Sequence, residues 1–362
     1  MKEWAYTFDA VSRAEWIRQI TTDLKQKSLA SLAGEWWDGE ARQPVLHQED
    51  LHDEIVRLPN YLFHQPPVIT EDVAFTTAQA TEVNSYILSA LQQGVQSILF
   101  HIPSTETKFN AEWVKNVRLD WITFQVETDT LTNESLHSFL EQMPEHAIFR
   151  MVRTESSISL ASILSAKKQT SSVDINSIRF IYRFASTGQW TENTSGIFNR
   201  LLADLADWEA LGFELAAFLQ QCILILEADQ DYFKQIIQTR VLHLLWHNLN
   251  QLYQKDSLEF TNKYLETHII QNEHEKPEHF LIRASMSALA SSLSGSGALC
   301  IHHSKDESNP TFFQRINRNI HHLLELESGM YKGVDPLAGA YSLDYPTKLW
   351  TAVIWDGINT GK

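Results

Sequence analysis

Beyond residue 68 the chain alternates between two kinds of segment, and this limits its possible folds more than any other feature. Short apolar, β-branched or aromatic runs occur at Val68–Phe75, Ser97–His101, Leu119–Val126, Ala147–Val152, Ile178–Phe184, Ile223–Leu226, Lys263–Ile270 and Ala298–His302. Each is followed by an amphipathic stretch. Strands interleaved with helices build a parallel sheet, because every crossover helix covers one sheet face. Eight such units predict closure into an α/β fold of the (β/α)8 TIM-barrel type; a doubly wound open sheet is the competing topology. A 43% apolar content supplies the large core that a barrel needs.

Residues 1–60 precede the repeat and read as a helical and irregular arm, with the barrel spanning 61–362. Ser12 and Glu15 have capping-box spacing, and Trp16, Ile17, Ile20 and Leu24 then share one helical face. Thr76 and Gln79 have the same capping spacing after the first strand run. Trp4, Tyr6, Phe8, Trp16, Trp36 and Trp37 crowd the arm with aromatics that a self-sufficient barrel core does not need. This predicts association, with the arm as part of the contact. The alternative is an arm folded back over the barrel's own base.

A net charge of −16 repels polyanions, which speaks against nucleic acid and anionic membrane surfaces as partners. No leader-like or membrane-spanning apolar run is legible. Cys222 and Cys300 both sit in apolar segments and are expected to be buried thiols, which predicts a cytoplasmic protein.

The most specific text lies near the C-terminus. Residues 315–341 read RINRNIHHLLELESGMYKGVDPLAGAY. This resembles the end of the barrel in the methylmalonyl-CoA mutase family, with Arg315, Arg318, Asn319, Glu327, Ser328, Gly329, Asp335, Pro336, Gly339 and Tyr341 on the pattern. DYFKQIIQTRVLHLLW, from Asp231 to Trp246, is similar to a helix of the same family, and the opening EWIRQITTDLKQKSLASL resembles the arm of its small subunits. The resemblance implies a carbon-skeleton isomerase that uses adenosylcobalamin, whose cobalt is held by a D-x-H-x-x-G motif on a separate domain. That motif does not occur in these 362 residues. The string Asp50-Leu51-His52-Asp53-Glu54-Ile55 lacks its glycine, so no cobalamin-binding domain is expected here.

The family's catalytic side chains are also replaced. Asp72 falls where the resemblance places an active-site tyrosine, Thr191 near a histidine, and Cys300 in place of the histidine that ends strand eight. An aspartate or a threonine cannot stand in for an aromatic wedge or an imidazole donor. The resemblance therefore implies a non-catalytic, small-subunit-like barrel. It would bind no cofactor itself and would be the structural partner of a catalytic mutase subunit that carries adenosylcobalamin, or would self-associate.

Two other functions remain open. One is a stand-alone acyl-CoA or small-ligand binding barrel. The other is an enzyme with diverged chemistry on Glu266, His268, His302 and His303. Glu266 and His268 alternate along one strand and so face the same way, while His302 and His303 end the last strand. His243 and His247 have helical i, i+4 spacing but no glutamate between them, and read as structural; His321 and His322 read as surface residues. Bulky Ile148, Phe149, Phe180, Tyr182, Ile223 and Leu224 predict a filled, blocked barrel axis. Arg315, Arg318, Glu327 and Asp335 are expected to be structural, at least one arginine pairing with Glu327, Asp335 or a strand-end carbonyl.

Overall fold

A computed structural model describes residues 9, 11–25, 28–36, 39, 41–43, 46–50, 58, 60–63, 65–74, 80–102, 109–128, 140–154, 159–163, 177–253, 262–302, 310–329 and 335–359. A two-residue antiparallel pair comes first, β1 (Gly34–Glu35) and β2 (Ala41–Arg42). The barrel strands follow: β3 (Val68–Ala74), β4 (Ser97–Ile102), β5 (Thr123–Thr128), β6 (Ile148–Val152), β7 (Ile178–Phe184), β8 (Cys222–Glu227), β9 (Leu265–Ile269) and β10 (Ala298–Ile301). They close in the order β10-β3-β4-β5-β6-β7-β8-β9, every pair parallel. The barrel expected from the alternation is therefore the fold, and the open sheet is not. β5 starts at Thr123 rather than Leu119, because residues 119–122 form a turn.

The helices are α1 (Arg13–Asp23), α2 (Ala80–Gln92), α3 (Trp190–Ala210), α4 (Leu215–Gln221), α5 (Tyr232–Tyr253), α6 (Pro277–Leu293), α7 (Pro310–His322) and α8 (Tyr341–Asn359). Strand alternation sends every second side chain outward under these helices. Phe100, Phe124, Phe149, Phe180, Tyr182, Phe184, Leu224 and Leu226 join Trp190, Phe198, Trp208, Ile236 and Ile237 in the main apolar cluster. Phe180 stacks on Phe218 of α4 with ring centroids 5.0 Å apart. Between β4 and β5 the cover is a 3-10 turn, Ala111–Val114, whose buried Trp113 lies 5.0 Å from the Phe100 ring.

α8 follows the eighth strand–helix unit and packs on α3 and α5. Gly357 permits the contact with α3, since a Cβ there would come within 2.6 Å of Ser195 Oγ. The chain leading into α8 is anchored by fully buried Arg240 of α5, which holds Asp335 at 2.8 Å and Asp344 at 3.4 Å. Asp344 in turn accepts a bond from the Gly339 amide at 3.0 Å. Gly339 has φ +86°, the left-handed region, and nothing lies within 4 Å of where its Cβ would stand. Gly339→Ala should therefore cost only the backbone penalty, about 1 kcal/mol. An unchanged urea midpoint would show that the turn relaxes.

The arm divides in its behaviour. α1 carries the expected capping box, with Ser12 Oγ accepting from the Glu15 amide and Glu15 accepting from the Ser12 amide at 3.0 Å, but none of its residues is buried. Trp36, by contrast, packs against the main cluster with the Arg42 guanidinium 5.3 Å above its ring, and Arg42 reaches Asp231 at 3.5 Å. Leu58, Leu62 and Phe63 are buried against Leu244 of α5. Trp4, Tyr6, Phe8, Trp37, Thr76, Gln79 and His303 lie outside the described residues. Among the described residues no helix is long and apolar enough to cross a membrane.

Candidate functional site in the barrel lumen

Strand pairing assigns the inward positions. Asp72 sits beside Leu99, Leu99 beside Gln125, Glu127 beside Arg150, and Glu266 beside Ala298. These inward residues are unusually charged. Arg150 of β6, fully buried, donates to Gln125 at 2.7 Å, to Glu127 at 3.1 Å and through two nitrogens to Glu266 at 2.9 and 3.2 Å. Glu266 belongs to β9, so the guanidinium reaches across the lumen. Glu127 also takes an ion pair from Arg183 of β7.

The network continues through imidazoles. His101 lies 3.1 Å from Asp72 and 3.7 Å from Glu127. His302 Nδ1 lies 2.7 Å from Asp72, its Nε2 2.9 Å from His268 Nδ1, and His268 Nε2 3.3 Å from Glu266. Glu266, Arg150, Glu127, His101, Asp72, His302 and His268 thus form a closed ring on β3, β4, β5, β6, β9 and the end of β10. Cys300 sits beside His268 in register, buried and unoxidised.

Burial alone would push the carboxylates up and the imidazoles down, so a shift against that direction reports the partners. Burial opposes ionisation of Glu266, but Arg150 and His268 hold it at about 2. Glu127 is likewise lowered against burial by Arg150 and Arg183. Hydrogen bonds from His101 and His302 overcome burial and hold Asp72 well below the usual carboxylate range. His101 is raised despite burial, by its bond to Asp72 and the charges of Asp72 and Glu127. His268 is lowered to about 4, chiefly by burial. Burial raises the Cys300 thiol well above its ordinary value.

Several expectations are corrected by this geometry. Of the bulky residues expected to fill the axis, Ile148 and Ile223 face inward, whereas Phe149, Phe180, Tyr182 and Leu224 point outward into the main cluster. The lumen is crossed by ion pairs rather than by apolar side chains. Below the ring, at the N-terminal ends of the strands, it is open, with a cavity of about 430 Å3 lined by Thr70, Ser97, Thr123, Gln125, Ile148 and Ile223 among others.

The C-terminal arginines find partners other than those expected. Arg318 is buried and pairs with Glu71 of β3 at 2.9 and 3.0 Å, while Arg315 is exposed over the Phe312 ring. Asp335 pairs with Arg240, and Glu327 and Asn319 are exposed. The Arg318–Glu71 and Arg240–Asp335 pairs join distant segments, which local sequence cannot show. His321 is buried, not on the surface. His243 is buried too and bonds the Tyr264 hydroxyl at 2.6 Å, while His247 bonds Gln251.

A family model for methylmalonyl-CoA mutase matches residues 205–360. Over that span the chain is similar to the methylmalonyl-CoA mutase family. The matched span contains α5, β8 to β10 and the 315–341 text. Methylmalonyl-CoA mutase of Rhizobium meliloti is 27% identical over 151 residues, 40% of this chain and 21% of that protein. Its counterpart from Cereibacter sphaeroides is 26% identical over the same shares. The match thus spans about a fifth of the length of these mutases. Among solved structures, dihydropteroate synthase from Xanthomonas albilineans aligns over 72% of this chain and 94% of its own, at 11% identity and a TM-score of 0.41. A chitinase catalytic domain from Pyrococcus furiosus aligns over 72% and 97%, at 10% identity and 0.40. These last likenesses carry no functional information. Of the positions at which the resemblance expects family side chains to be replaced, Asp72 and Cys300 are turned into the lumen and Thr191 lies buried in the first turn of α3.

Proposed function

We propose that the chain is a non-catalytic, small-subunit-type barrel of the methylmalonyl-CoA mutase family, serving as the structural partner of a catalytic subunit. The observation that carries this reading is the ring, because Arg150 bridges Glu127 and Glu266 across the lumen, where an acyl-CoA chain threading the barrel would have to pass. The donor set does not fit adenosylcobalamin chemistry either. Asp72 stands where the family resemblance places an aromatic, and its carboxylate is engaged by His101 and His302. On this reading the chain binds no cobalamin, and the cofactor belongs to the catalytic partner. The unburied face of α1 is the proposed contact, with a mutase subunit or with a second copy. Titration calorimetry with a CoA thioester tests the reading, and no binding tighter than about 10 μM is expected.

A second reading is favoured by the open cavity of about 430 Å3, which has a ligand-sized volume and mixed walls, Thr70, Ser97 and Gln125 beside Ile148, Ile223 and Trp246. Tight CoA-thioester binding in the same titration would overturn the first reading in favour of this one. Deletion of residues 1–40 separates the roles of the arm. A folded barrel that no longer associates fits the contact, whereas an unfolded one assigns the arm to the fold through Trp36.

A further inference from the structure

The contact between His268 and His302 poses a problem of protons. His302 Nδ1 faces the Asp72 carboxylate at 2.7 Å, and a carboxylate flanked by imidazoles accepts, so this nitrogen carries a hydrogen. His268 Nε2 faces Glu266, whose oxygens already accept from Arg150, so it donates as well. The two remaining ring nitrogens, His302 Nε2 and His268 Nδ1, then point lone pairs at each other across 2.9 Å. Two neutral imidazoles in that pose repel, and the geometry calls for a cation between them, either a proton or a metal ion.

The surroundings favour the metal. Cys300 Sγ lies within 4.8 Å of a ring nitrogen of each histidine, and the three residues come from adjacent strands whose register is fixed by the barrel. Each imidazole has a carboxylate behind it, Asp72 for His302 and Glu266 for His268. That is the arrangement by which proteins orient histidines on a metal and raise their basicity. A second grouping, Asp72, His101 and His302, also brings ligand atoms within 4.8 Å, but His101 Nδ1 stands 3.7 Å from Glu127, too far for an orienting bond. Two imidazoles and one thiolate make a borderline-soft donor set that suits zinc.

We propose that His268, Cys300 and His302 form a zinc-type metal site inside the barrel. Binding places the ion between the two facing nitrogens and converts the Cys300 thiol to a thiolate, its proton passing to solvent. The site is independent of the subunit reading, since it would staple β9 to β10 whether or not the barrel has a catalytic partner.

The test uses the full chain, freed of metal with a chelator and titrated with Zn2+ or with Co2+ as a coloured substitute. The expected result is about one equivalent per chain and a thiolate-to-cobalt charge-transfer band that disappears in Cys300→Ser. Asp72→Asn, which leaves all three donors in place, should weaken affinity 10- to 100-fold. If the intact chain takes up no stoichiometric zinc and gives no such band, the facing imidazoles share only a proton and the proposal fails. Unchanged metal uptake by Cys300→Ser also overturns it.

Discussion

Arg150→Met is expected to lower folding stability by about 3–5 kcal/mol, the scale for removing one partner of a buried ion pair. Arg150 is fully buried and is the shared donor to Gln125, Glu127 and Glu266, and Glu127 and Glu266 are themselves only 1% and 6% exposed at the side chain. Without the guanidinium both carboxylates remain buried with no counter-charge of that reach. Arg150→Lys should recover little, because an ammonium cannot reach Glu266 through two parallel bonds while holding Glu127. Combining Arg150→Met with Glu127→Gln and Glu266→Gln should restore much of the loss, since the penalty comes from the orphaned charge and not from the missing attraction. Urea denaturation of the three variants reads this directly. A loss below about 1 kcal/mol for Arg150→Met would mean that water enters the ring, and the axial plug would go with it.

Acid should destabilise the protein steeply before its carboxylates titrate. His243 on α5 is lowered to about 3 by burial and by the charge of Arg240, and His321 on α7 to about 4 by burial and by His322, against the pull of Glu71. Both therefore stay neutral in the folded chain while the unfolded chain protonates them near 6.5. The unfolded state binds more protons throughout this window, so stability is fully present above about pH 6.5 and is lost as pH falls toward the folded values. Two such groups give a slope of up to about 3 kcal/mol per pH unit near pH 5. His101 runs the other way, since its raised value adds stability below about 6.5 that fades as pH rises through its folded value. His268 titrates with the ring and not as a separate group. Urea midpoints at pH 7, 6 and 5 should fall accordingly, and His321→Gln should flatten the curve. A midpoint unchanged between pH 7 and 5 would contradict the burial of both histidines.

The ring shows where sequence reading reaches its limit. Glu266 and His268 are legible as a same-face pair because strand alternation has a period of two. The same parity places Arg150, Glu127, Asp72 and Arg183 on inward-facing strand positions as well. Nothing local says that Arg150 meets Glu266, 116 residues away, or that Arg318 meets Glu71 at a separation of 247.

The sequence by itself determined the barrel, since eight strand–helix units leave few ways to bury both faces of a parallel sheet. It also determined the family text at the C-terminal end, and the capping of α1 by Ser12 and Glu15, whose partners lie three residues apart. Only the tertiary structure decided that Phe180 and Tyr182 face the helices, that the lumen is crossed by charge, and that His268 and His302 meet nitrogen to nitrogen. The physical reason is closure. Within one strand the chain dictates which side chains share a face, but the register around a closed sheet decides which of the eight faces meet across the axis, and that is where the ring forms.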